Sequence, residues 1–275
     1  MNVSERWTVL LRHALLGAVA GLSLGLAAAQ AEETNTGLLT EYDADADSPI
    51  PNLVYDVALL PEGAPVDPAV VRADLDYVAG MRRHHAGALT MSRDYLADPQ
   101  AANPYLRRLA QAIIPNQAFE IGVLDAVEQQ VRRTPTLLDL GIVRLALRPA
   151  AVERLEQQRK FLKTPVPFIA EVRMDEGAPV SARDVQFAKA MSMHHRAAVE
   201  MAGNYNADPN AENSFLSLMN LRIITDQSQE IALMQAVIEH YPGDPDAVTV
   251  DPAMIHGMPM EGAGGHGGHG GHGAH

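Results

Sequence analysis

A segment that recurs without a gap constrains this chain more than anything else in it. Met81-Arg-Arg-His84-His85-Ala-Gly-Ala-Leu-Thr-Met91 returns 110 residues later as Met191-Ser-Met193-His194-His195-Arg-Ala-Ala-Val-Glu-Met201. At about 3.6 residues per turn, Met81, His84, Ala88 and Met91 share one stripe of a helix, and Met191, His194, Ala198 and Met201 form the equivalent stripe. Core packing alone accounts for Met at this spacing, because the flexible thioether fills apolar gaps. It does not account for two adjacent His, roughly 100° apart around a helix, at the same point of both halves. Thioethers and imidazoles on one face suit a soft metal ion, copper(I) above all.

The repeat extends beyond this segment. Ile113-Ile114-x-Asn116-Gln117-x-x-Glu120-Ile121 matches Ile223-Ile224-x-Asp226-Gln227-x-x-Glu230-Ile231 at the same shift. Gln117 and Glu120 share a helix face, as do Gln227 and Glu230. Polar groups at matched positions of apolar helices are candidates to hold a ring N–H of the paired His. Such a bond fixes the tautomer and turns the other ring nitrogen inward. A solvated face is the alternative.

Helix punctuation divides the chain. Asp67-Pro68 starts a helix that runs to about Leu96 and stops at Asp98-Pro99. Asn103-Pro104 starts a second, which runs to about Arg132, with Pro115 expected to kink it. Ser181-Ala-Arg-Asp184 resembles a capping box and opens a third helix, to about Tyr205. The fourth runs from about Asn213 to Tyr241 and ends at Pro242. Residues 67–132 and 181–241 are therefore two copies of one helix pair. Residues 133–180 have no counterpart and are expected to form a partly helical crossover, with an apolar run at Leu137–Leu147 and a short amphipathic helix at Val152–Leu162. The predicted fold class is all-α: a four-helix bundle of two repeated antiparallel helix pairs with a long crossover and disordered termini.

The ends carry different signals. Residues 1–31 read as a signal peptide: Arg6, Arg12 and His13 precede the apolar run Ala14–Ala29, and Ala29-Gln30-Ala31 fits a cleavage site. That run is short for a membrane span, so no stable span is expected after cleavage; an uncleaved anchor is the alternative. Residues 32–66 form an acidic arm, expected to be extended, with Asp43, Asp45 and Asp47. Residues 242–275 are a His/Gly/Met-rich tail, expected to be flexible. In it, His256, Met258, Met260, His266, His269, His272 and His275 suit capture of copper, zinc or another divalent metal by several imidazoles. With no cysteine, thiolate metal sites, disulfides and cysteine nucleophiles are excluded. A net charge of −13 argues against a nucleic-acid partner.

With these motifs in place, the chain resembles an exported bacterial protein of the domain-of-unknown-function family 305, over about residues 67–132 and 181–241. Its pattern, Met-Ile-x-His-His-x-x-Ala-x-x-Met, is met by Met81, His84, His85 and Met91 and again by Met191, His194, His195 and Met201. The chain departs from it at Arg82 and Ser192. The Met that commonly follows Gln-x-x-Glu-Ile is Met234 in the second half and Leu124 in the first. The resemblance implies a ferritin-like bundle and, from some members, periplasmic copper binding.

The leading expectation is an exported, periplasmic or extracellular, non-enzymatic copper-binding protein for tolerance, storage or delivery. Its metal candidates are Met81, His84, His85, Met91, Met191, Met193, His194, His195, Met201 and Met234, with Gln117, Glu120, Gln227 and Glu230 behind them. Which His of each pair binds is open: His84 lies closest to the Met stripe, and His85 stands at i, i+4 from Met81. A metal-free helical interaction module is the first alternative. A di-metal carboxylate oxidase is the second, although no inward Glu-x-x-His is visible.

Overall fold

Local capping chemistry decides where the long helices begin. The computed structural model describes residues 53–60, 66–141, 143–152, 163–167, 169–174 and 178–258. These all belong to the compact unit Ile50–His275. Helix α1 (Pro68–Ala97) starts where the Asp67 carboxylate accepts from the Ala69 N–H at 2.8 Å. Helix α2 (Pro104–Val131) starts where Asn103 Oδ1 accepts from the N–H groups of Tyr105 and Leu106. After a short helix α3 (Ile169–Met174), helix α4 (Ala182–Ala207) opens on a full capping box between Ser181 and Asp184. Helix α5 (Ser214–Ile238) is capped by Asn213. Each cap satisfies N–H groups that a helix start leaves without partners. Pro115 lies inside α2, where it removes one donor.

The helices form a bundle in which α1 packs on α2 and α4 on α5. The two pairs meet mainly where α1 crosses α4. That crossing is antiparallel, as its matched contacts require. Tyr95 Oη donates to Asp184 Oδ1 at 2.6 Å near one end, and Tyr205 Oη donates to Asp74 Oδ1 at 2.6 Å near the other. Tyr95 also stacks on Phe187 at 4.0 Å, and Tyr77 packs on Tyr205 at 4.4 Å between centroids. Asp74, Tyr77 and Tyr95 are the 110-residue counterparts of Asp184, Phe187 and Tyr205. The repeat is therefore a pseudo-two-fold axis through the α1–α4 crossing. Two apolar clusters flank it. One contains Met91, Leu109, Ile113, Met191 and Met234. The other contains Met81, Leu124, Met219 and Ile223, so the axis exchanges them.

The residues between the pairs differ from the sequence expectation. Part of the crossover is strand, and it pairs with the acidic arm. Strands β1 (Leu53–Leu60), β2 (Thr136–Asp139) and β3 (Arg144–Val152) form an antiparallel sheet in the order β1-β3-β2. Strand β3 lies against α2. Gly141, at φ +79°, supplies the left-handed position in the β2–β3 turn. The sheet also braces α5, because Asp56 accepts from the N–H and hydroxyl of Ser214. The expected signal peptide, most of the acidic arm, the amphipathic helix expected at Val152–Leu162 beyond its first residue, and the tail beyond Met258 lie outside the described residues. No described helix is long and apolar enough to cross a membrane.

Asp184 holds this arrangement at one end. Beyond the Tyr95 hydroxyl, it accepts from the N–H groups of Ala102, Asn103 and Ser181. Asp184→Ala strands those buried donors and is expected to lower the unfolding free energy by about 3 kcal/mol, while Tyr205→Phe costs about 1 kcal/mol. Urea titration checks both, and an Asp184→Ala loss under about 0.5 kcal/mol, the ordinary surface value, contradicts the role given to this carboxylate.

A buried histidine quartet at the helix crossing

Two adjacent His on one helix point about 100° apart. At the α1–α4 crossing, one member of each pair therefore faces the opposite helix and the other faces the second helix of its own pair. His84, His85, His194 and His195 are all fully buried. His84 Nε2 donates to the His194 carbonyl at 3.0 Å, and His194 Nε2 donates to the His84 carbonyl at 3.0 Å. Their rings stack with centroids 3.7 Å apart and planes 20° apart. His85 Nε2 meets Glu120 Oε2 of α2 at 2.8 Å. His195 Nε2 meets Glu230 Oε2 of α5 at 2.6 Å. Six side chains thus tie all four long helices together in one polar layer between the two apolar clusters.

Carbonyl oxygens only accept, so His84 and His194 must each carry a proton on Nε2. Burial and the neighbouring His85 and His195 push the His84 imidazole down to about 3. Burial first, and then His84, His195 and His85, hold His194 well below the usual imidazole range. Both rings are therefore neutral at pH 7, and a neutral ring protonated at Nε2 exposes a lone pair at Nδ1. In all four histidines Nδ1 is buried without a hydrogen-bond partner. Leaving a buried polar atom unpaired costs about 1–3 kcal/mol, and this layer holds four such atoms.

The remaining sequence candidates divide. Met81, Met191 and Met234 are fully buried, and Met91 nearly so. Met234 lies beside Ser192, with Oγ and Sδ 3.7 Å apart. The methionines do not gather in one place, because Met81 belongs to one apolar cluster and Met91, Met191 and Met234 to the other. Met201 is half-buried against Gly80. Met193 is 47% exposed, because two residues on from Met191 is about 200° around the helix. Among Gln117, Glu120, Gln227 and Glu230, the carboxylates hold the rings. Gln117 Oε1 and both amide atoms of Gln227 are buried without partners, lining a cavity of about 20 Å³ between α2 and α5 with Glu120 and Glu230. That volume holds one water. The Asp–Tyr pairs at the ends of the crossing escaped the sequence reading, although the 110-residue shift marks them. Among tail candidates, His256 and Met258 are described and exposed, whereas Met260, His266, His269, His272 and His275 lie outside the described residues.

Among the described residues, no three His, Asp or Glu side chains are grouped to hold a metal ion. Among the described residues, a hard or borderline cation needing several oxygen or nitrogen donors finds no such group. A soft cation using imidazole with thioether does not need one.

Comparison with known proteins gives one family. The family described as Domain of unknown function (DUF305) matches residues 74–238, with a second match over 184–268. No curated protein and no solved structure matches the chain.

The quartet sets a pH dependence. His84 titrates near 6.5 unfolded and near 3 folded, so the unfolded chain takes up that proton first. Its contribution to stability is complete above pH 6.5 and is lost as the pH falls from 6.5 toward 3. Equilibrium unfolding of the metal-free protein should show this fall, with a shallower slope in His84→Gln; equal slopes would contradict the assignment.

Proposed function

The chain belongs to the DUF305 family, and on that premise we propose that it is an exported copper-binding protein, a carrier for tolerance, storage or delivery rather than an enzyme. What carries this reading is the set of four buried Nδ1 atoms without partners. In this reading His84 and His194, held neutral and protonated at Nε2, offer Nδ1 to copper(I). Met81 and Met191 stand three residues earlier on the same buried faces and supply thioethers. Glu120 and Glu230 orient His85 and His195, the outer members of the quartet. Copper(I) fits the donor types, because thioether and imidazole suit it. Export fits the run of residues 14–29 and the absence of cysteine, since thioethers do not form disulfides in an oxidising compartment. The tail histidines would collect copper, zinc or another divalent ion on the way in.

A second reading has its own observation. The reciprocal His84–His194 bonds and the His–Glu pairs join four helices, which is also what a purely structural polar layer does. The di-metal oxidase has less support, because Glu120 and Glu230 each engage a histidine and no third acidic or His donor among the described residues joins them.

Competition between the protein and a chromophoric copper(I) chelator separates these readings. The wild type should withdraw copper(I) from the chelator, and His84→Gln/His194→Gln should bind the core copper at least 100-fold more weakly. An unchanged affinity in a folded double variant would leave the structural reading.

A further inference from the structure

The pseudo-two-fold axis is broken at one end of the bundle. After α5 the chain turns back across α4 toward α1. Lys189 Nζ donates to the carbonyls of Pro245 at 2.5 Å and Val248 at 3.2 Å. Gln186 Nε2 donates to the Thr249 carbonyl at 3.1 Å. Val248, Val250 and Ile255 pack on the apolar cluster that contains Met91. The strap then closes on α1 backbone to backbone. Gly257 has φ +74°, and a Cβ there would lie 2.6 Å from the Arg83 carbonyl oxygen. A Cβ on Gly87 would collide with the His256 carbonyl. Two glycines thus permit one close approach. A tail serving only as a loose collector has no need of a root held this closely.

This docking builds a cavity against α1 and α4. At the opposite end, the Met201 methyl group lies against Gly80. Here, the counterparts are Met91 and Ala190, and the strap adds Ala253, Met254 and His256. These five, with Asp94, Arg183 and Phe187, line a space of about 280 Å³. Two methionines and one histidine thus line one void, together with Phe187 and two alanines. Asp94 Oδ2 lies 3.9 Å from His256 Nε2, placed to orient the ring once it is metallated. Arg183, the one cation in the lining, is engaged elsewhere, pairing with Asp98 at 2.8 Å and lying over the Tyr95 ring. His256 and Asp94 side chains are 43% and 63% exposed, so the cavity opens to solvent where the quartet does not.

We infer that Met91, Met254 and His256 form a second, solvent-accessible site for a soft monovalent cation, copper(I), completed by docking of the strap. Its ion rests on the copper reading above, but none of the four quartet histidines lines it. The site opens to solvent, so an ion arriving from outside reaches it before the buried layer.

The test uses the full chain with ¹³C-methyl methionine and ¹⁵N-histidine, titrated with silver(I) as a redox-silent probe for copper(I). The Met91 and Met254 methyl signals should shift together, with the His256 ring. Met254→Leu/His256→Asn should abolish the Met91 shift and remove one equivalent of bound silver, while the His84 and His194 rings respond as in wild type. Gly87→Ala, which displaces the strap, should also abolish the Met91 shift. A Met91 shift that survives in Met254→Leu/His256→Asn, or Met91 and Met254 methyls unmoved at saturation in wild type, overturns the proposal. Silence of the His84 and His194 rings with a normal Met91–Met254 response would sink the quartet reading and leave this one standing.

Discussion

Everything in the bundle is arranged around one reciprocal bond. Where α1 crosses α4, each central histidine gives its Nε2 proton to the backbone carbonyl of the other. A carbonyl cannot donate, so the tautomer of both rings is fixed by geometry alone. Burial then keeps both rings neutral, and their Nδ1 atoms remain bare inside the protein. The carboxylates of Glu120 and Glu230 hold the outer pair from the other two helices. A polar layer of this kind is favourable only when its members are satisfied. Here one nitrogen of every ring is satisfied and the other is not.

The Asp–Tyr pairs at the two ends of the crossing serve that layer. They fix the antiparallel register of α1 on α4, and with it the stacking of the two central rings. Burial raises the Asp74 carboxyl to about 6, so the fold accepts a cost there to hold Tyr205. The paired apolar clusters flank the quartet on both sides.

Much of this was legible in the residues. Asp-Pro and Asn-Pro steps placed the helix boundaries within a few residues, because proline at the first helical turn is a local signal. The 110-residue shift identified the quartet and both glutamates. It also held Asp74/Asp184 and Tyr95/Tyr205, which went unread because aspartate and tyrosine near helix ends resemble ordinary surface residues. The sheet was not legible: β1 pairs with a strand that begins more than 80 residues later, and no local pattern announces such a partner. Nor was the docked strap, since Gly257 reads as linker until Gly87 is seen beneath it.

On the copper reading proposed above, buried and accessible donors divide the work, the quartet to retain an ion and the strap to offer one. The claim beneath this account is that the central rings present lone pairs at Nδ1. Long-range ¹H–¹⁵N correlation on the metal-free protein at pH 7 reads this directly. The account predicts Nδ1 of His84 and His194 unprotonated and Nε2 protonated in both, with the Nδ1 signals moving on addition of copper(I). Protonated Nδ1 atoms, or signals indifferent to copper(I), would contradict it.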